Sequence, residues 1–285
     1  MKIQTITEDK LDLINAICLD PSVDKETRRL MENGMDRRIC WIKKMIPKGL
    51  EILVAFDEPR EEILHYKWVG KMLHSDLAVQ GEVPMGLLEC IPIEHALEPL
   101  TGKSTLFINC IWILPPFWHS GVGTALVKSF IERAKKYGGA SVIAYDGDNW
   151  FGTSIKYMPL SFFTKFDFKE IDRDGSRVLL YLDLGASDPP KIILPELNEP
   201  LKTEKINLEI FFNSQCPWSI YMINTVRKDL EKAPNININL VNTDDNELIK
   251  RLGISRGISL DGQPIIKRMA SCEEIRIEIE KYQKC

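Results

Sequence analysis

Leu106-Phe-Ile-Asn-Cys-Ile-Trp-Ile-Leu114 runs into Pro115-Pro-Phe-Trp-His-Ser-Gly-Val-Gly-Thr124, then into Ala125-Leu-Val-Lys-Ser-Phe-Ile-Glu-Arg-Ala134. The first run is apolar and rich in isoleucine and aromatics, which suits a buried strand. Two prolines and two glycines interrupt it. Leu126, Val127, Phe130, Ile131 and Ala134 then recur at helical spacing, predicting a helix over 121–137 that stops at Gly138-Gly139. A strand, a glycine turn and a helix start together make an anion site. First-turn N–H groups have no intrahelical acceptor, and the helix dipole favours negative charge there. Glycine lets a phosphate approach the backbone without a Cβ in the way.

Several readings use this geometry. A Walker A loop needs Gly-Lys-Ser/Thr, and Gly123-Thr124 lacks the lysine. A dinucleotide fingerprint needs a third glycine, where Leu126 stands, although Asp146 after the next strand is spaced for a ribose contact. The pyrophosphate of coenzyme A is the third ligand, and a plain tight turn the fourth reading. Ser104 to Val127 carries no formal charge, but its central prolines and glycines would break a membrane helix.

Working outward, residues 1–50 read as a short strand and two helices. Thr7-Glu8-Asp9 caps the first and Asp24-Lys25-Glu26 opens the second, which closes at Pro47-Lys48-Gly49. Strands are expected at Leu50–Phe56, Met85–Ile93, Ser141–Tyr145 and Arg177–Leu184, with a helical stretch around Tyr157–Lys165. Ala186 to Lys205 holds Pro189, Pro190, Pro195 and Pro200, the density of a linker or an extended docking arm. A second unit occupies 206–285. It carries 11 Lys+Arg and 11 Asp+Glu of the chain's 37 and 41, so the net negative charge lies before it.

The chain has 285 residues, 44% hydrophobic and 27% charged, the composition of a globular protein of about two domains. A formal charge of -4 argues against a general nucleic-acid partner. The N-terminus lacks a signal-peptide apolar core. Seven scattered cysteines with no C-x-x-C pair signal neither a metal site nor a disulfide framework, and fit reduced thiols in the cytoplasm. No membrane partner is expected, and an oligomer is compatible with the composition.

The element order around the glycine loop resembles the GNAT N-acetyltransferase superfamily, over roughly residues 1–184. Its Arg/Gln-x-x-Gly-x-Gly/Ala motif lands on Trp118-His119-Ser120-Gly121-Val122-Gly123. Pro159-Leu-Ser-Phe-Phe-Thr-Lys-Phe-Asp-Phe-Lys-Glu-Ile171 resembles the family's late aromatic segment. The resemblance implies a mixed α/β (α+β) fold of acyl-CoA N-acyltransferase type, and acetyl-CoA as co-substrate with no metal. The acceptor would be a small-molecule or peptide amine. Backbone groups of Ile111, Trp112 and Ile113 would hold the pantetheine arm, with Thr124 adding a hydroxyl to the phosphate site. Trp118 stands where the family has Arg or Gln, so cradling would rest on backbone amides, with His119 nearby. Phe163 stands where many members place the tyrosine that protonates the leaving thiolate, and Asp167 replaces a glycine.

For a general base, Glu89 in the apolar run Gly86-Leu-Leu-Glu-Cys-Ile91 is the candidate, against a solvated strand face. Glu94 and His95 follow it. Tyr157 is the candidate acid, against an amphipathic packing role. Cys110 reads as a small core residue.

In the second unit, Leu208-Glu-Ile-Phe-Phe212 reads as a strand and Cys216-Pro217-Trp218 as a helix start. Ile236, Ile238 and Leu240 alternate as a strand, Asp261-Gly262 signals a type I′ hairpin, and Ser271-Cys-Glu-Glu274 is a capping box. The β-α-β-α-β-β-α order resembles a thioredoxin or glutaredoxin fold, as in acetyltransferases with a YoaP-like accessory domain. A helix start should lower the pKa of Cys216. Ser219 replaces a resolving cysteine, so a dithiol cycle is disfavoured. Two other functions stay open: a non-catalytic acyl-CoA-binding or sensing protein, and a monothiol redox protein using Cys216.

Overall fold

The computed structural model describes residues 1–19, 24–31, 33–58, 82–185, 188–196, 204–231 and 233–284. The chain opens with β1 (Lys2–Thr5), followed by three helices: α1 (Asp12–Cys18), α2 (Lys25–Leu30) and α3 (Gly34–Met45). The sequence pattern reads α2 and α3 as one helix. They part because Asn33 sits in the left-handed region at φ 67°, a conformation that ends a helix and that asparagine tolerates. Asp24 caps α2 as expected, accepting from the Thr27 N–H.

The first sheet is built from β2 (Glu51–Asp57), β3 (Val83–Pro92), β5 (Leu106–Ile113), β6 (Gly139–Tyr145), β7 (Lys169–Asp174) and β8 (Arg177–Asp183), together with β1. Its order is β1-β2-β3-β5-β6-β8-β7. The β5–β6 pair is parallel and joined by α4 (Val122–Ala134), so the helix crosses over between them. The β7 strand, Lys-Glu-Ile-Asp-Arg-Asp, has no apolar alternation to announce it. Its charges suit the sheet edge, where they discourage pairing with another chain. The late helical stretch shrinks to α5 (Leu160–Phe163) and a 3₁₀ turn over Thr164–Phe166, leaving Tyr157 outside it.

One irregularity shapes the sheet. Glu89 pairs with Cys110 and Cys90 with Ile108, so Asn109 is an extra residue in β5, a β-bulge. The β5–β6 ladder covers Leu106–Ile108 and ends at that bulge. Beyond it β5 stays paired with β3 but parts from β6, so Cys110–Ile113 have no β6 partner.

The described part of the proline-rich stretch is docked. Strand β9 (Lys191–Ile192) pairs with β4 (Leu100–Thr101). The second sheet, β10 (Ile206–Phe212), β11 (Ile236–Asn242), β12 (Gly257–Leu260) and β13 (Gln263–Ile266), has the order β11-β10-β12-β13, with β10 and β11 parallel. Helices α6 (Trp218–Leu230), α7 (Asn246–Leu252) and α8 (Cys272–Gln283) accompany it. Asp261 and Gly262 have φ 49° and 79°, both positive as a type I′ turn requires. The Ser271/Glu274 capping box is formed in both directions. Two apolar clusters result: one from Ile6 to Ile192 joined by Ile249, and one from Leu208 to Ile279.

Candidate functional site

The two faces of β5 carry different chemistry. On one face lies the glycine loop. Trp118 is exposed and its indole Nε1 donates to the Ile113 carbonyl at 2.7 Å, tying the loop to the strand end. His119 takes φ 61°, and the Ser120 hydroxyl donates to the Phe117 carbonyl at 2.6 Å. Gly121 takes φ 84°, and a Cβ there would meet nothing within 4 Å, so its space is open. Gly123 is small for another reason: a Cβ would lie 3.1 Å from the Phe162 ring and 3.8 Å from Ile113. Val122, Gly123 and Thr124 form the first turn of α4, whose N–H groups precede any intrahelical acceptor. Thr124 is exposed and Val122 buried. The cradle thus combines outward amides, open space and a helix N-terminus, which fits a pyrophosphate.

On the other face, Cys110 and Trp112 line a small cavity of about 40 Å³. Tyr157 and Trp150 close it from the segment after β6, their rings 4.7 Å apart between centroids. Burial pushes the Tyr157 phenol well above its ordinary range, so it stays protonated at neutral pH. Phe163, at the family's tyrosine position, is fully buried in the core. The remaining wall comes from Cys18 of α1, Arg38 of α3 and, in the second unit, Gln215–Trp218 and Arg256.

Glu89 is fully buried, not solvated. Its carboxylate accepts from Arg38 Nη2 at 2.9 Å, Asn109 Nδ2 at 3.1 Å and Gln215 Nε2 at 3.2 Å. The same Gln215 amide donates to the Asn109 carbonyl at 3.2 Å, the group that the bulge releases from the ladder. Arg38 also donates to the Gln215 carbonyl. Glu89 therefore stands behind the cavity wall and holds it, rather than facing the cavity as a free base. Glu94 is exposed and His95 half-buried in a 3₁₀ turn beside β3. A second buried ion pair joins Glu98 to Arg256, with Ser255 Oγ donating to Glu98 at 3.0 Å.

The expectation for Cys216 reverses. Burial pushes its thiol up, and this outweighs Arg38, Arg256 and the Trp218 amide, which pull it down. The helix start is near, but the sulfur sits in an apolar wall. Burial likewise raises Cys18 to about 11 and Cys110 well above the usual thiol range. Ser219, at the resolving position, is buried with its hydroxyl 3.7 Å from the Met269 sulfur. Sequence reasoning missed Arg38, Gln215 and Arg256. Arg38 lies within a helix of ordinary amphipathic pattern, and the other two meet the site only through the packing of the second unit.

Among the described residues, no group of three or more His, Cys, Asp or Glu is placed to hold a metal, and no helix is long and apolar enough to cross a membrane. Residues 47–150 match the acetyltransferase (GNAT) family. The uncharacterized N-acetyltransferase YoaP of Bacillus subtilis (strain 168) is 24% identical over 233 residues, 80% of this chain and 77% of the relative. Among solved structures, the PaiA N-acetyltransferase of Thermoplasma acidophilum in complex with coenzyme A is 15% identical, over 64% of this chain and 99% of that one, with a TM-score of 0.39. An N-acetyltransferase from Staphylococcus aureus Mu50 is also 15% identical, over 64% and 98%, with a TM-score of 0.39. The segment with the glycine loop, residues 47–150, is thus similar to the acetyltransferase (GNAT) family.

Proposed function

We propose that the chain transfers an acetyl group from acetyl-CoA to an amine. The observation that carries this reading is the geometry of β5. Beyond its ladder with β6, the strand lies between an amide cradle on one face and a small cavity on the other. The amides of Gly121–Thr124 would hold the pyrophosphate, and the backbone of Ile111, Trp112 and Ile113 the pantetheine arm. When bound, acetyl-CoA supplies the thioester. Attack by a neutral amine forms the C–N bond and breaks the C–S bond, and one proton passes from the amine side to the departing sulfur. Tyr157, held protonated at the cavity wall, is the proton donor in this reading. Glu89 is a positioning residue that orients Arg38 and Gln215.

In this reading residues 1–185 form the acetyltransferase domain, 186–205 the connecting arm and 206–285 a thioredoxin-like accessory domain. The β-α-β-α-β-β-α order and the parallel β10–β11 pair support the last assignment. The six cysteines among the described residues are unpaired, which suits a reducing cytoplasm. The half-buried Cys216, whose thiol pKa is raised by desolvation, and the serine at the resolving position weigh against a thiol-redox role.

Titration calorimetry and thermal unfolding test the reading. Acetyl-CoA at a hundred times its Kd should stabilise the protein by about 2.7 kcal/mol. Gly121→Asp keeps a residue that tolerates positive φ but places a negative charge on the cradle, and should abolish binding. No binding of millimolar acetyl-CoA to the wild-type chain removes the proposal.

A further inference from the structure

Between β6 and α5 the chain makes an excursion, residues 146–159, that brings both Trp150 and Tyr157 to the cavity wall. Its base is closed by the Tyr145 N–H, which donates to the Met158 carbonyl at 3.0 Å, and its arms by the Trp150 N–H, which donates to the Ile155 carbonyl at 2.7 Å. At the tip the Thr153 N–H donates to the Trp150 carbonyl at 2.9 Å. The two residues between them have positive φ: Phe151 at φ 46° and ψ 42°, and Gly152 at φ 69°. Successive positive φ values are those of a type I′ turn, whose first central position is normally Asn, Asp or Gly. A phenylalanine there is strained, and it persists only where its surroundings hold it.

Those surroundings belong to the second unit. The Phe151 ring centroid lies 5.7 Å from that of Trp218 and 5.7 Å from that of Tyr221, both on α6, the second edge-on. Within the loop it meets Trp150 edge-on at 4.8 Å. Trp150 in turn stands edge-on to Trp218 at 5.8 Å, and reaches Tyr157 at 4.7 Å and Trp112 of β5 at 6.1 Å. Ring pairs at these spacings attract beyond the area they bury. Two further contacts fasten the same loop to the same unit. Asp148 pairs with Arg268 at 3.0 Å, and Arg268 is itself held by Glu274 at 2.8 Å. A Cβ on Gly152 would lie 3.4 Å from Ser271 Oγ, so the tip rests on the N-terminal cap of α8.

We propose that Phe151 is a latch, a positioning residue through which the second unit holds the Trp150–Tyr157 wall and so sets the shape of the cavity beside Cys110 and Trp112. Once the α6 rings no longer grip it, the strained turn relaxes and the wall moves with it. The inference deepens the acetyl-transfer reading, because Tyr157 is the proton donor there, and it rests on that reading only for what the wall does. The second unit thereby acts on the transfer site as its outer support.

The test is hydrogen–deuterium exchange on the full chain, together with iodoacetamide labelling read cysteine by cysteine in a peptide map. Phe151→Asn is the deciding variant. Asparagine suits this turn better than phenylalanine, so a purely local role for residue 151 predicts a firmer loop. The latch predicts the opposite: the amides of 147–158 should exchange at least about tenfold faster than in the wild type, while β2 and β3 keep their protection. Cys110, which lines the cavity, should label at least about threefold faster, and Cys90, buried on β3 away from the cavity, at the wild-type rate. Tyr221→Leu removes a ring contact from the side of the second unit without changing the cavity lining, and should speed loop exchange in the same sense. Phe151→Tyr keeps the ring and should exchange as the wild type does. Wild-type or slower loop exchange in either Phe151→Asn or Tyr221→Leu overturns the latch. So does Cys90 labelling that rises in step with Cys110, which marks a general loosening. Absence of acetyl-CoA binding in the wild type is a different result: it removes the acetyl-transfer reading and leaves the exchange data to decide the latch.

Discussion

Glu89 organises three donors from three parts of the chain: Arg38 of α3, Asn109 of the β5 bulge and Gln215 ahead of α6. The pair it forms with Arg38 is dry, so removing one partner strands a charge. Glu89→Ala should cost about 3–5 kcal/mol in urea unfolding. Glu89→Gln keeps the shape and should fold, yet it replaces an acceptor oxygen by a donor. Its acceptor KM should therefore rise while the Kd for acetyl-CoA stays put; an unchanged acceptor KM would reduce Glu89 to a structural residue. Cys216 makes a second prediction at this scale. Its thiol is raised by burial, so at pH 7.5 it should react with iodoacetamide more slowly than a free cysteine, and at least as fast once the chain is unfolded in urea. Faster alkylation in the folded protein would restore the activated thiolate that a helix start suggests.

At the scale of elements, the decisive feature is the Asn109 bulge, and it explains what could and could not be read from sequence. The strand-loop-helix unit around Gly121 was legible because its apolar run, prolines, glycines and helical spacing are all local signals. So were the Asp24 cap, the Asp261-Gly262 turn and the Ser271 capping box. The bulge was not, since Phe-Ile-Asn-Cys-Ile reads as an uninterrupted strand and the shift exists only against β3. The edge strand β7 was hidden by its charges, and the α2–α3 break by a single left-handed asparagine. The close approach of β3 and β5 was equally invisible. A Cβ on Gly86 would lie 2.6 Å from the Trp112 carbonyl oxygen and 2.9 Å from the Ile113 Cα, both backbone atoms of β5. Gly86→Ala must therefore push the two strands apart just where β5 serves both faces. The expected outcome is a loss of more than about 1–3 kcal/mol together with weakened acetyl-CoA binding. Wild-type stability and affinity in this variant would show that the strand pair yields without consequence.

Across the whole molecule, the two apolar clusters are joined through buried polar contacts: Arg38 to the Gln215 carbonyl, Glu98 to Arg256, and Trp218 Nε1 to the Cys18 carbonyl at 3.3 Å. Neither side can leave without exposing a charge, so the chain should unfold in one transition. Alkaline pH probes this junction, because Cys18, Cys110, Cys216 and Tyr157 all have pKa values raised by burial there. The sign follows from proton counting. An unfolded thiol loses its proton near pH 8.5, whereas folded Cys18 keeps it to about 11. Between those values the native chain binds more protons than the unfolded one, so stability falls as pH rises. Below pH 8.5 both states are protonated and the full stability is present. Urea unfolding should thus give a free energy that is flat from pH 6 to 8 and declines from about pH 8.5 to 11, with a shallower decline in Cys18→Ala. If the junction is the coupling element, hydrogen exchange in α8, far in sequence from the glycine loop, should lose protection in step with the first sheet over that range. Loss in one sheet while the other stays protected would mean that the two units unfold separately and that the buried arginines do not bind them into one molecule.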